Sequence, residues 1–143
     1  MIRALLASAI SLIATGSVAQ EVDGPWNDYT EDVIVGAVFQ WTSDRGVTFW
    51  IKEGEIEAPT NVNWVSFWLR GNHARDDRVK FRSSIQRITL LCSSGTYSIS
   101  AFTSHMADGK IDISEDYRYP ASRAIRPDTV IWDIKQKYCP SKP

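Results

Sequence analysis

Two cysteines constrain this chain more than any other residues. Cys92 ends the run SSIQRITLLC, and Cys139 ends the run RPDTVIWDIKQKYC. Their chemistry depends on the compartment. The chain opens MIRALLASAISLIATGSVAQ, with a cation at Arg3, an apolar run to Ala14 and then small residues. Ser17 and Ala19 fit the −3 and −1 positions of an export cleavage site. The apolar run is about 11 residues long, whereas a membrane span needs roughly 20. Residues 1–19 therefore read as a signal peptide and not as a membrane span. In an oxidising compartment two thiols of a small domain pair, and only one intramolecular pair exists here. A Cys92–Cys139 disulfide is expected, and closing that loop stabilises the fold by roughly 4 kcal/mol through the unfolded chain. Two cysteines with no histidine nearby do not make a zinc site. No metal and no cofactor is called for.

The rest of the 143 residues suffices for one domain. Residues 20–31, QEVDGPWNDYTE, are polar and broken by Gly-Pro, and read as a flexible N-terminal arm. Residues 32–143 read as a single domain. Val33, Val35, Ala37, Phe39 and Trp41 alternate along 32–41, the mark of a strand with one buried face. VTFWIK (47–52) is a second strand, and EGEIEAPTN is a loop. NWVSFWLR (63–70) places Val65, Phe67 and Leu69 on one face, Trp64 and Trp68 on the other. GNHARDD (71–77) reads as a polar loop.

Residues 78–92 form one long strand or two. Val79, Phe81 and Ile85 share one parity, Ile88, Leu90 and Cys92 the other, so an irregularity is expected near 83–87. Strands at 96–104 and 110–114 follow, joined through the Asp-Gly pair at 108–109. Residues 115–125 show no period. RPDTVIWDIKQKYC (126–139) reads as a helix with Pro127 in its first turn and an apolar stripe of Val130, Ile131, Ile134 and Tyr138. Trp132, two turns before Cys139, is expected near the sheet. The fold class is α+β: five or six antiparallel strands with one C-terminal helix packed on one face and tied there by the disulfide.

Residues from about Trp64 to Cys139 resemble the surface-adhesin protein E family of bacterial exported proteins. The resemblance is carried in order by NWVSFWL, SSIQRITLLC, YSISAFTSHMADGK and IRPDTVIWDIKQKYC. It implies an antiparallel sheet with a disulfide-tied C-terminal helix, and a binding role towards host matrix proteins. The family's anchored adhesin carries a lipid-acceptor cysteine, which this chain lacks beside its cleavage site. The expected location is therefore periplasmic or secreted, with the cell surface as the alternative.

The chemistry-bearing residues are sparse. A net charge of −1 argues against a general nucleic-acid binder. His73 and His105 lie in polar surroundings and read as solvated. The acids Glu115 and Asp116 have no opposing carboxylate placed for glycoside hydrolysis. No G-x-S-x-G, HExxH, P-loop, EF-hand or GxGxxG pattern occurs, so the chain reads as a non-enzyme.

Two binding features are present. Arg78, Lys80 and Arg82 alternate in one direction if their segment is a strand. Flanked by Arg70, Arg75 and Arg87, they form either a patch for an acidic partner or a charged edge that resists aggregation. Trp64 and Trp68, opposite the apolar face of their strand, mark either a partner or homodimer surface or a face covered by the arm. Three readings follow: an exported adhesin-like binding module without catalysis, a periplasmic inhibitor or accessory protein of a hydrolase, and a small hydrolase.

Overall fold

The computed structural model describes residues 36–60 and 63–139. The expected signal peptide (1–19), the expected arm (20–31) and the first residues of the expected 32–41 strand lie outside the described residues. Six strands form the body of an antiparallel sheet: β1 (Ala37–Thr42), β2 (Thr48–Lys52), β4 (Trp64–Asn72), β5 (Ser83–Leu91), β6 (Thr96–His105) and β7 (Ile111–Asp116), paired in that order. Two further strands, β3 (Ile56–Glu57) on β4 and β8 (Arg123–Ala124) on β6, bring the sheet to eight strands among the described residues. Both are two residues long and depend on a tertiary partner, so neither leaves a period in the sequence. One helix, α1 (Val130–Tyr138), follows.

The buried face is the one the alternation marks. Val65, Phe67 and Leu69 of β4 stand opposite Leu90, Ile88 and Gln86 of β5. The first two pairs, Leu69, Phe39 and Ile51 form one core with Val130, Ile131 and Ile134 of α1. Ile134 and Leu90 are wholly buried. Each such aliphatic side chain contributes about 1.5–3 kcal/mol when buried, so this stripe holds the helix to the sheet. Cys92 and Cys139 are bonded to each other and pack against the same core. Trp132 is half-buried outside that core, with Lys135 Nζ 5.4 Å from its ring centre.

The elements depart from the sequence reading in four places below, each for a local reason. First, α1 starts at Val130 and not at Arg126. Asp128 adopts φ +58, which a helix does not allow, and Thr129 in extended backbone caps the helix by accepting from the Trp132 N–H. Second, β4 runs on to Asn72, so Gly71 and Asn72 are strand and not loop.

Third, 78–82 is not a strand. Side-chain bonds within the turn compete with a ladder there: Asn72 Oδ1 accepts from the Ala74 N–H at 2.8 Å, and Asp76 accepts from the Arg78 backbone. The parity change is thus resolved by starting β5 at Ser83. β5 then pairs with β4 without a break, and the register shift falls on its other side, opposite Arg87/Ile88, where Ser100 of β6 is the extra residue.

Fourth, β1 has a bulge between Ala37 and Phe39. Ala37 stands opposite Lys52 and Phe39 opposite Ile51, so the two do not share a face. The bulged Val38 offers its carbonyl to Lys137 Nζ at 2.7 Å, which ties β1 to the last turn of α1.

Candidate functional site

The residues singled out in the sequence are dispersed. Arg78 pairs with Asp76 at 2.9 Å, and those hydrogen bonds hold the Asp76 carboxyl below its ordinary range. Arg82 donates to the Val79 carbonyl within the same turn. Since 78–82 is a loop, strand alternation does not align Arg78, Lys80 and Arg82, and they form no charged edge strand. Trp64 and Trp68 are both half-buried on the face opposite α1. The Arg87 guanidinium lies 5.6 Å from the Trp68 ring centre and bonds Glu57 of β3 at 2.9 Å, so Trp68 sits under an ion pair. Arg70 and Glu55 pair beside it.

His73 is not solvated but 8% exposed. Gly71 makes this possible. A Cβ there would stand 2.8 Å from His73 Nε2 and 2.9 Å from Ser84 Oγ, so only glycine leaves room for the imidazole to fold back on the sheet. Nε2 lies 2.9 Å from Ser84 Oγ, and the ring sits edge-on between Phe49 and Phe81. Burial pushes its pKa down to about 4 against the pull of Asp76. The imidazole is therefore neutral, and Ser84 beside it is 1% exposed. Both members of this Ser–His pair are thus buried. His105, at the end of β6, is half-buried. Glu115 and Asp116 end β7, with the Tyr117 hydroxyl donating to Glu115, which holds the phenol pKa up. Among the described residues no three His, Cys, Asp or Glu side chains come together as metal ligands. No helix among them is long and apolar enough to cross a membrane.

The open feature lies elsewhere, on the helix side of the sheet. The short α1 covers only part of that face. Beyond it runs a trough of two adjoining clefts, about 530 and 470 Å³. The first lies between the start of α1 (Val130, Ile131) and a floor of Leu69, Ile88 and Tyr97. The second lies over Phe102 beneath Tyr117 and Tyr119. Gln86, Ile99 and Arg123 line both. Among the described residues, the only charged ones lining either cleft are Arg123 and Arg126.

The strap 117–126 is held by a few backbone bonds, from Tyr117 N to Ser100 O at 2.8 Å and from Ile125 N to Gly95 O at 3.0 Å, and by β8 pairing with Thr96 and Tyr97. Tyr119 is 85% exposed, with Arg118 against its ring, and Ile111 is 61% exposed on the neighbouring strand. The sequence carries a signal for this site, the interleaved aromatics and arginines of YRYPASRAIR at 117–126, which a search for periodicity passes over.

Fold and trough together describe a sheet-and-helix domain with an open, aromatic, cation-lipped surface. In fold it is similar to protein E of Haemophilus influenzae. One solved structure of that protein is 14% identical, with a TM-score of 0.49 over 76% of this chain and 86% of the other. A second, from a non-typeable strain, is also 14% identical, with a TM-score of 0.48 over 75% and 77%. No family model and no curated protein matches the chain.

Proposed function

We propose that this chain is an exported, non-catalytic binding module that holds a partner protein in the trough beside α1. The observation that carries the reading is the trough itself: a half-open apolar and aromatic surface edged by exposed Tyr117 and Tyr119, with Ile113 exposed further along the same face of β7. Exposed apolar residues grouped beside a concave site favour a macromolecular partner. Enclosure of the His73–Ser84 pair supports the non-catalytic part. The disulfide supports export, since such bonds persist in oxidising compartments. The domain of this reading is residues 32–143, behind a leader of 1–19 and an arm of 20–31.

The test uses the disulfide-bonded chain immobilised against periplasmic and host-matrix extracts. Three variants accompany it: Tyr117→Ser with Tyr119→Ser, the triple change Arg78→Ser, Lys80→Ser, Arg82→Ser, and Trp68→Ala. A partner held stoichiometrically by the parent and the triple variant, and lost by the tyrosine variant, is the expected result. The reverse pattern would move the binding surface to the 73–82 turn, and retention by the tyrosine and triple variants combined with loss in Trp68→Ala would move it to the tryptophan face. Protease shaving of intact cells locates the protein: survival alongside periplasmic markers would rule out surface display.

A further inference from the structure

The chemistry of the trough narrows the kind of segment it can hold. Most of its lining side chains are apolar or aromatic, from Leu69 and Val130 in one cleft to Phe102 and Tyr119 in the other, with the Thr129 hydroxyl in the wall of the first donating to the Arg126 carbonyl. Arg123 stands where the clefts join and Arg126 at the outer lip of the first, both exposed, and neither has an ion-pair partner among the described residues. The nearby acids are otherwise placed: Glu115 accepts from Tyr117, while Asp116 and Asp128 line neither cleft.

Gln86 is the one side-chain amide lining both clefts among the described residues. It lies on the floor shared by both clefts, between Leu69 of β4 and Phe102 of β6, and its amide makes no hydrogen bond to another described residue. A side-chain amide donates and accepts at once, as a peptide unit does. An apolar floor with one such amide at its centre is therefore complementary to a polypeptide lying across it. The arginines add complementarity to carboxylates. Exposed Ile113, on the same sheet face as Phe102, carries apolar surface beyond the clefts, further than a small molecule would use.

We infer that the trough takes an extended, acidic segment of the partner protein: apolar or aromatic side chains in the two clefts, a backbone amide on Gln86 and carboxylates on Arg123 and Arg126. This rests on the trough being the partner site. It adds the sign of the charge and the extended form of the segment.

The experiment titrates three capped hexapeptides into the disulfide-bonded full-length chain, followed by calorimetry and amide chemical shifts. One has the core Asp-Phe-Asp-Leu, the second replaces aspartate by lysine, and the third replaces phenylalanine and leucine by alanine. Dodecanoate is the fourth ligand. The acidic apolar peptide should bind at least about tenfold tighter than either control, and more weakly as salt rises. Arg123→Gln should lose about tenfold. Gln86→Leu should weaken the peptide but not dodecanoate. Shifts should fall on Ile99, Phe102 and Arg123.

Equal binding of the three peptides, or full affinity in Arg123→Gln with an unchanged circular dichroism spectrum, overturns the inference. So does dodecanoate binding tighter than the peptide, which would make the trough a site for a small amphiphile. Because Arg123 and Tyr119 are exposed, their variants should fold, and with an unchanged circular dichroism spectrum a null result reads on binding alone. If the tyrosine variant loses its captured partner while the acidic peptide shows no preference, the partner site stands and only the charge assignment falls.

Discussion

The His73 imidazole shows how one small residue changes what another can do. Gly71 gives it space, and Phe49 and Phe81, with ring centres 5.8 and 4.8 Å away, remove it from water. Its pKa falls from 6.5 to about 4 on folding because burial disfavours the cation. Between those values the unfolded chain binds more protons than the folded one, so stability rises with pH across that window. The contribution is full above about pH 6.5 and is lost as pH drops towards 4, by roughly 3 kcal/mol in all. Urea midpoints for the parent should fall across this range. His73→Phe, which cannot titrate, should flatten the part of that slope due to the imidazole; an unchanged slope would mean that His73 is not the group responsible. Gly71→Ala places a methyl under 3 Å from both His73 Nε2 and Ser84 Oγ. Since strained overpacking costs about 1–3 kcal/mol, the same urea series should show that loss at pH 7.

At the scale of elements, α1 separates what a sequence can announce from what it cannot. Its stripe of Val130, Ile131 and Ile134 is visible as a period, and so is the matching face of Val65, Phe67 and Leu69, because burial on one side imposes 3.6 or 2.0 on the residues themselves. The start of the helix is less visible. Pro127 and Asp128 are good first-turn residues, but the backbone at Asp128 turns left-handed and hands the cap to Thr129. Thr129→Ala should therefore cost about 1 kcal/mol, and Asp128→Gly should cost nothing or stabilise, since φ +58 suits glycine; thermal melts of the two variants would test the pair. Loops follow other rules. The alternation of Arg78, Lys80 and Arg82 is real in the sequence, yet the bonds of Asn72 and Asp76 to nearby backbone spend those residues in a turn. The trough was the least legible part. Its strap from 117 to 126 has no period, and its two strand residues exist only because Thr96 and Tyr97 are there to pair with them.

Across the whole molecule, the disulfide and the trough are linked through the helix. Cys139 follows the last residue of α1 and Cys92 follows β5, so the bond fixes one end of the helix while Thr129, Val130 and Ile131 at the other end wall the first cleft. Opening the bond frees the unfolded chain by roughly 4 kcal/mol, which for a domain of this size lowers the melting temperature by on the order of 10–20 °C. Cys92→Ser and Cys139→Ser should melt alike, because each deletes the same crosslink. Neither should unfold the protein at room temperature. Three aliphatic side chains of α1 remain buried against β4 and β5, and together they contribute on the order of 5–8 kcal/mol before the cost of ordering. The helix should thus stay docked but looser at its C-terminal end, where the Val38 carbonyl still holds Lys137. Amide exchange before and after reduction distinguishes this from a structure that depends wholly on the crosslink. Protection should fall first in residues 134–139 and persist at Leu90 and Phe67. Equal loss of protection through β4 and β5 would mean that the sheet needs the disulfide as much as the helix does, and the apolar stripe would then be too weak to carry the wall of the trough.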